Sequence, residues 1–468
     1  RLVLNEVRDR EALLTEIERI KPAEILIADD LQQEADSIRL AALRRRPVWE
    51  FELDNARRLL CEHFNTRDLT AFECEQLPVA MAAAGCLFQY ARETQKSDLP
   101  HIQGIQIEQL DDAVILDAAS RRNLELDINL AGQRDNTLLS VLDRCATAMG
   151  SRLLGRWINR PLRDQQILAQ RQQVVAALIE NFHFEPLAEI LASVGDLERI
   201  LARLGLRSAR PRDLARLRDS LALLPQLQQQ LATIDSGALT DLARRIAEFP
   251  EQTTLLQAAI EENPPVVIRD GGVIAKGFDE ELDELRDLSS NAGQFLVELE
   301  QKEKARTGSS TLKVGYNRVH GYYIEISKGQ AGGELPAEYV RRQTLKNAER
   351  FITPELKEFE DKVLSANSKA LSREKALYDE LLETLAGDLS ALICSANAIS
   401  EVDVLNNFAE RAASLDYCRP ELSEASGINI VAGRHPVVET VSNENFVAND
   451  LSLEEGRRML IITGPNMG

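Results

Sequence analysis

The stretches Thr311-Leu312-Lys313-Val314-Gly315-Tyr316 and Gly321-Tyr322-Tyr323-Ile324-Glu325-Ile326-Ser327 alternate in character like strands, with Asn317 and Gly329 marking turns. They read as a small β-rich unit. On both sides the period becomes helical. Phe278, Leu282, Leu285, Leu288, Phe295 and Leu299 form one apolar stripe that ends near Arg306-Thr307-Gly308. From Pro354 a second stripe runs through Leu356, Phe359, Val363, Ala370, Leu377, Leu381, Leu385, Leu392, Ile399, Leu405 and Phe408. It contains Gly387 but no proline before Pro420, so an unbroken helix there would approach ~85 Å. One helix goes out, a β-rich hand follows, and a longer helix returns.

Outward from this pattern the chain divides further. Residues 1–116 read as α/β: 24–28 and 48–53 are strand-like, and Ala12, Leu13, Ile17 and Ile20 mark an amphipathic helix. From about 117 to 300 the helical period dominates, with core helices expected over 143–158 and 196–224. Beyond about 418 short strands return, at 428–431 and 434–438. The fold class is multidomain and mainly α with α/β parts.

A formal net charge of −20 argues against a chain that coats nucleic acid uniformly. The hand reverses that sign. Between Arg306 and Thr353 stand eight basic residues (Arg306, Lys313, Arg318, Lys328, Arg341, Arg342, Lys346, Arg350) against four acids (Glu325, Glu334, Glu338, Glu349), a local balance of +4. Tyr316, Tyr322, Tyr323, Asn317 and Asn347 are interleaved with them. Cations and amides in that mixture suit phosphate contacts without base readout. Arg342, Lys346 and Arg350 lie four apart, which on a helix would place them on one face. The six cysteines are widely spaced with no C-x-x-C pair, arguing against a disulfide framework or zinc site and fitting a reducing cytoplasm. The longest uncharged run, 76–91, is shorter than the ~18–20 residues of a membrane span.

The apolar run Met459-Leu460-Ile461-Ile462 leads into Thr463-Gly464-Pro465-Asn466-Met467-Gly468. A buried strand entering a Gly-bounded turn is how a phosphate-binding G-x-x-x-x-G-K-[ST] loop begins. The lysine and Ser/Thr of that pattern would follow Gly468, so the expectation is that this piece alone does not hydrolyse ATP. With Arg at position 1 and no leader after it, the chain reads as a soluble internal fragment. Upstream, Asn445-Phe446-Val447-Ala448-Asn449-Asp450 offers an aromatic ring that could stack on a base.

Together these segments resemble the MutS family of DNA mismatch-repair ATPases, and the match is that of a bacterial member. The resemblance is carried by 463–468, 445–450, Gly433-Arg434-His435-Pro436, Tyr316-Asn317-Arg318-Val319-His320-Gly321-Tyr322-Tyr323-Ile324-Glu325, Ile268-Arg269-Asp270-Gly271-Gly272 and Arg156-Trp157-Ile158-Asn159-Arg160-Pro161-Leu162. It implies an RNase-H-like connector over 1–116 and a helical lever over 117–293 that resumes at 354–417. It further implies a β-rich DNA clamp at 294–353 and the opening of an ABC-type ATPase domain at 418–468. Carried over by position, Phe446 would stack on the adenine of ATP or ADP beside Val447, and Gly464, Pro465, Asn466, Met467 and Gly468 would begin the phosphate cradle, with Mg²⁺ assisting. In the clamp, Asn317, Arg318, Lys328, Lys346, Asn347 and Arg350 would contact double-stranded DNA. A second copy of the chain and a MutL-type partner are implied as well.

The family's mismatch-reading domain, with its Phe-x-Glu wedge, would precede the connector. Phe249-Pro250-Glu251, Phe278-Asp279-Glu280 and Phe408-Ala409-Glu410 spell that tripeptide, as chance allows among 13 Phe in an acidic chain. Weak DNA binding without mismatch preference is therefore expected. A competing reading is the structural arm of a P-loop chromosome-maintenance or repair scaffold, and a third is a helical adaptor. The basic hand separates the first from both.

Overall fold

The structure, a computed structural model, describes residues 2–31, 42–109, 112–290, 292–317, 321–331, 335–442 and 445–461. It is mainly helical with small sheets and divides into two compact units. The first comprises Arg1–Ala209, Asp219–Phe249 and Ala386–Gly468; the second comprises Arg210–Arg218 and Pro250–Leu385.

In the first unit, strand β1 (Leu2–Leu4) pairs in parallel with β4 (Ile105–Ile107), and β2 (Glu24–Ala28) with β3 (Ala42–Arg46). Helix α1 (Arg10–Ile20) starts where the Asp9 carboxylate accepts the Ala12 N–H at 2.8 Å, satisfying a first-turn donor. Helices α2 (Leu53–Phe64) and α3 (Pro78–Gln95) pack so closely that a Cβ on Gly85 would fall 2.4 Å from Ala56 Cβ. The uncharged run is thus α3, which buries Ala80, Met81, Ala84, Gly85, Cys86 and Phe88. Among the described residues no helix is long and apolar enough to cross a membrane. The strand expected at 48–53 is instead a 3₁₀ turn, Val48–Phe51. Pro47 opens it, the Glu50 N–H donates to the Pro47 carbonyl, and the buried Glu50 carboxylate takes Arg46 Nε at 2.6 Å. Alternation there marked a turn entering α2.

The helical part continues with α4 (Ala118–Asn123), α5 (Leu138–Leu142), α6 (Ala148–Asn159), α7 (Gln165–Ile179), α8 (Phe184–Ser193), α9 (Leu197–Gly205), α10 (Pro211–Ala222), α11 (Leu224–Ala232) and α12 (Gly237–Ala243). Over 196–224 the sequence reads as core helices broken at Arg210-Pro211-Arg212-Asp213. The structure has that break: α9 ends at Gly205 and Pro211 starts α10 at the one position where a missing N–H is harmless. The helix expected at 143–158 begins only at Ala148. The loop ahead of it is held by Asp403, whose carboxylate accepts from Ala146 N (2.9 Å), Thr147 N (2.8 Å) and Thr147 Oγ1 (2.6 Å). Gly150 leaves the space for that carboxylate. Asp403 lies on α18 (Leu389–Ser414), where the neighbouring Asn407 clasps the same loop through Arg144 N and Leu142 O.

After α18 come β9 (Ile428–Gly433), the short helix α19 (Pro436–Val441) and β10 (Asn449–Leu453), antiparallel to β9. The strand expected at 434–438 is mostly that helix: His435 Nδ1 accepts the Val438 N–H at 3.3 Å as a cap, and Pro436 takes the first helical position. Met459 and Ile461 lie in irregular backbone and are 76% and 83% exposed, not in the expected buried strand. No described strand pairs with them, and a parallel strand needs neighbours to bury it.

The second unit holds the first two-thirds of α10 (through Arg218), α13 (Pro250–Ala259), α14 (Glu280–Ser290), α15 (Ala292–Thr307) and α17 (Pro354–Ala386), with the hand and its short helix α16 (Lys328–Ala331) between the last two. The long helix expected from Pro354 stops at Gly387-Asp388, so α17 reaches only ~50 Å. The Asp270-Gly271-Gly272 turn is fastened to α17. The Glu374 carboxylate, 2% exposed, accepts from Gly272 N (3.1 Å), Val273 N and Ile274 N (2.9 Å), and pairs with Arg286 Nη2 at 2.8 Å. Gly271 and Gly272 have φ of +72° and +79°, which only glycine adopts without strain.

Candidate functional site

The hand is a four-stranded antiparallel sheet in the order β5 (Lys313–Asn317), β6 (Gly321–Ser327), β8 (Ala348–Ile352), β7 (Val340–Thr344). One face carries Ile324, Ile326 and Phe351 onto Leu299 of α15 and Leu356 of α17. The Phe295 and Phe359 rings stack beneath it at 4.0 Å. These residues follow the period-two pattern that the sequence shows over 321–327.

The expected helix over 342–350 is not formed. Residues 340–352 make the β7–β8 hairpin, so Arg342, Lys346 and Arg350 do not share a helical face. Spacing of four reads equally well as two strands around a turn, and the pairing of β8 with β6 decides it.

On the solvent side of the sheet, Lys313, Glu325, Arg350 and Gln343 stand in register across the four strands. Arg350 donates to Glu325 (2.8 Å) and Gln343 Oε1 (3.1 Å), and its Cζ lies 4.0 Å from the Tyr323 ring centroid. Tyr323 lies across Gly315, where a Cβ would come within 3.1 Å of the ring. Two other arginines also carry acids: Arg341 pairs with Glu349 at 2.9 Å and Arg306 with Glu338 at 3.2 Å.

Lys328 and Lys346 have no carboxylate in pairing distance among the described residues. Both are exposed, and the Lys328 N–H donates to the Asn347 carbonyl at 3.1 Å. Lys328, Lys346 and Asn347 therefore meet at one end of the sheet. Asn317 is at the other end, opposite Gly321, which lies about 20 Å along β6 from Ser327. Arg318 lies outside the described residues. Gly321 has φ +72°, and Glu360 of α17 fills the space beside it while accepting the Tyr322 N–H at 3.2 Å. Among these supports, Glu325, Gln343, Tyr323 and Glu360 were not singled out from sequence as holding the hand's cations and turn. Only the positive-φ glycine of the 316–325 motif hinted at the last.

In the segment that follows α18, Phe446 is half-buried and Val447 exposed, just before β10. Asn449 Nδ2 donates to the Val447 carbonyl at 2.8 Å, shaping the turn that presents the ring. Gly464, Pro465, Asn466, Met467 and Gly468 lie outside the described residues. Arg434 of the 433–436 motif is a joint: it pairs with Glu439 at 2.9 Å and donates to the Leu415 and Asp416 carbonyls that follow α18. The 156–162 motif is also a joint. Asn159 receives Arg121 Nη1 at 2.7 Å, and Arg160 reaches the Gln109 carbonyl at 2.8 Å.

Comparison with known families agrees with this architecture. Residues 119–409 match the model described as MutS domain III, and residues 1–103 match MutS domain II. The first match alone covers more than half of a mainly helical, multidomain chain, so the chain belongs to the MutS family of mismatch-repair proteins.

Proposed function

We propose that this chain serves DNA mismatch repair by gripping duplex DNA through the lysine-bearing end of the hand, as one element of an ATP-dependent machine. The observation that carries this reading is the meeting of Lys328, Lys346 and Asn347 at one sheet end, two cations without an acid partner among the described residues beside an amide, in a chain of net charge −20. Such groups bind phosphates and position a protein on DNA without reading sequence. Asn317, at the opposite end, would touch a separate stretch of backbone, together with Arg318, its neighbour in sequence. At the head, Phe446 would stack on the adenine of ATP or ADP with Val447 beside it, and 464–468 would begin the phosphate cradle. Mg²⁺, when bound, supplies charge neutralisation at the phosphates. Pairing with a second copy and recruitment of a MutL-type partner, in the bacterial cytoplasm, complete the reading.

Binding of a 30-base-pair duplex, followed by fluorescence anisotropy in low salt, tests it. The Lys328→Glu, Lys346→Glu variant should bind at least tenfold more weakly on any sequence. Parent-like affinity in that variant, with unchanged melting, would place the DNA site elsewhere.

A further inference from the structure

We infer that a cleft of about 660 Å³ in the first unit, between α6, α7, α18 and the segment after α18, binds a small carboxylic acid with an apolar body. Trp157, Leu162, Val175, Ile179, Phe408 and Tyr417 line it, and the volume falls in the ~300–1,000 Å³ range of small-molecule sites. No part of the mismatch-repair reading uses this cleft.

The charge in the cleft selects the ligand class. Arg171 of α7 lies over the Trp157 ring, its Cζ 3.4 Å from the centroid. Its Nε is buried with no hydrogen-bond acceptor, and no carboxylate pairs with it among the described residues. Glu401, the acid that acts on it electrostatically, is engaged by Arg245 at 3.0 Å. Burial draws the Arg171 guanidinium below its ordinary pKa, as expected of a cation without a counter-ion. A buried donor left unsatisfied is costly, and an anion entering from outside removes that cost. A carboxylate matches the planar guanidinium fork, while an aliphatic or aromatic body suits the remaining walls. The roof is already latched: Gln172 Nε2 donates to the Pro420 carbonyl at 3.0 Å, and Arg419 Nε donates to Gln172 Oε1 at 3.1 Å.

The cleft contains its own reporter. The chain has two tryptophans, Trp157 and the exposed Trp49, so a Trp49→Phe background isolates the ring beneath Arg171. Titration with decanoate, decanol and decylamine, each below its aggregation limit, should give a saturable change in Trp157 emission. Decanoate should bind at least tenfold tighter than either of the others. Arg171→Met should abolish that preference while leaving decanol binding in place. Equal affinities for acid and alcohol, tighter binding of the amine, absence of saturation, or a preference that survives Arg171→Met would each overturn the inference. Should Arg171→Met fail to fold, the three-ligand ranking on the parent background decides alone.

Discussion

Arg350 Nε lies 2.8 Å from the Glu325 carboxylate across two paired strands, so a cation that its spacing would assign to a phosphate already has an acid and an aromatic ring for neighbours. Its side chain is 16% exposed. Each phosphate neutralised contributes about −0.9 to the slope of log affinity against log salt. Lys328→Gln with Lys346→Gln should therefore flatten the slope by about 1.8, whereas Arg350→Gln should leave it within about 0.3 while loosening the sheet. Salt titrations of duplex binding separate the two. A loss of about 0.9 on removing Arg350 alone would make it a phosphate contact.

Glu374 offers a harder structural test. Three backbone N–H groups and Arg286 converge on a carboxylate with almost no solvent contact. Removing it leaves three backbone donors without acceptors and takes from Arg286 its nearest carboxylate, leaving that cation the Ile274 carbonyl and Asp283. Glu374→Ala should therefore cost about 3–5 kcal/mol in urea unfolding of the second unit. A cost below about 1 kcal/mol would mean that the turn at 270–272 holds itself.

Asp196 should give stability a pH signature. It caps α9 and receives both Nη groups of Arg152, at 3.0 and 2.6 Å. Burial opposes its ionisation, but the Arg152 hydrogen bonds and charge prevail, and its carboxyl sits below the ordinary 3.8. A depressed folded value means that the stabilisation is complete above the unfolded value and is lost as pH falls through the folded one. The gap between the parent and Asp196→Asn, about 1–2 kcal/mol at pH 7, should hold down to roughly pH 4 and close below it. Chemical denaturation at stepped pH would show this, and a gap that widens on acidification would contradict it.

Gly85 tests the connector-like region. A methyl group there meets Ala56 Cβ and Cα at 2.4 and 2.7 Å, so α2 and α3 must part. Gly85→Ala should cost about 1–3 kcal/mol by overpacking, despite alanine's better helix propensity. Pairing it with Ala56→Gly should recover much of the loss in thermal melts. Failure to recover would mean that the close approach is not what makes glycine necessary.

Periodicity made the hand's central strand and its flanking helices legible, because Ile324, Ile326 and Leu299 are apolar for one reason, burial against each other. The hairpin at 340–352 was not legible. Its cations are spaced as on a helix, and only pairing with β6, a non-local interaction, selects strands. Likewise Glu374 and Asp403 look like surface acids in long helices, since their partners lie about 100 and 256 residues away in sequence. Turn chemistry misled at 48–53 and 434–438, where Pro47 and Pro436 start helical turns. The lysines of the hand, proposed to meet DNA, were readable as residue types, but not the acids that neutralise their arginine neighbours.

The span of the Asp403 clasp also has a meaning in time. Thr147 must wait for a residue 256 positions later before its loop can close, whereas the hand draws its whole core from Phe295 to Phe359. Loop closure of that length is slow and local pairing is fast. During synthesis from the N-terminus, the inserted sheet can acquire its structure while the helices of the first unit are still open. The guest would then be finished before its host, and a lesion at Asp403 would leave behind a folded hand on an unfinished lever.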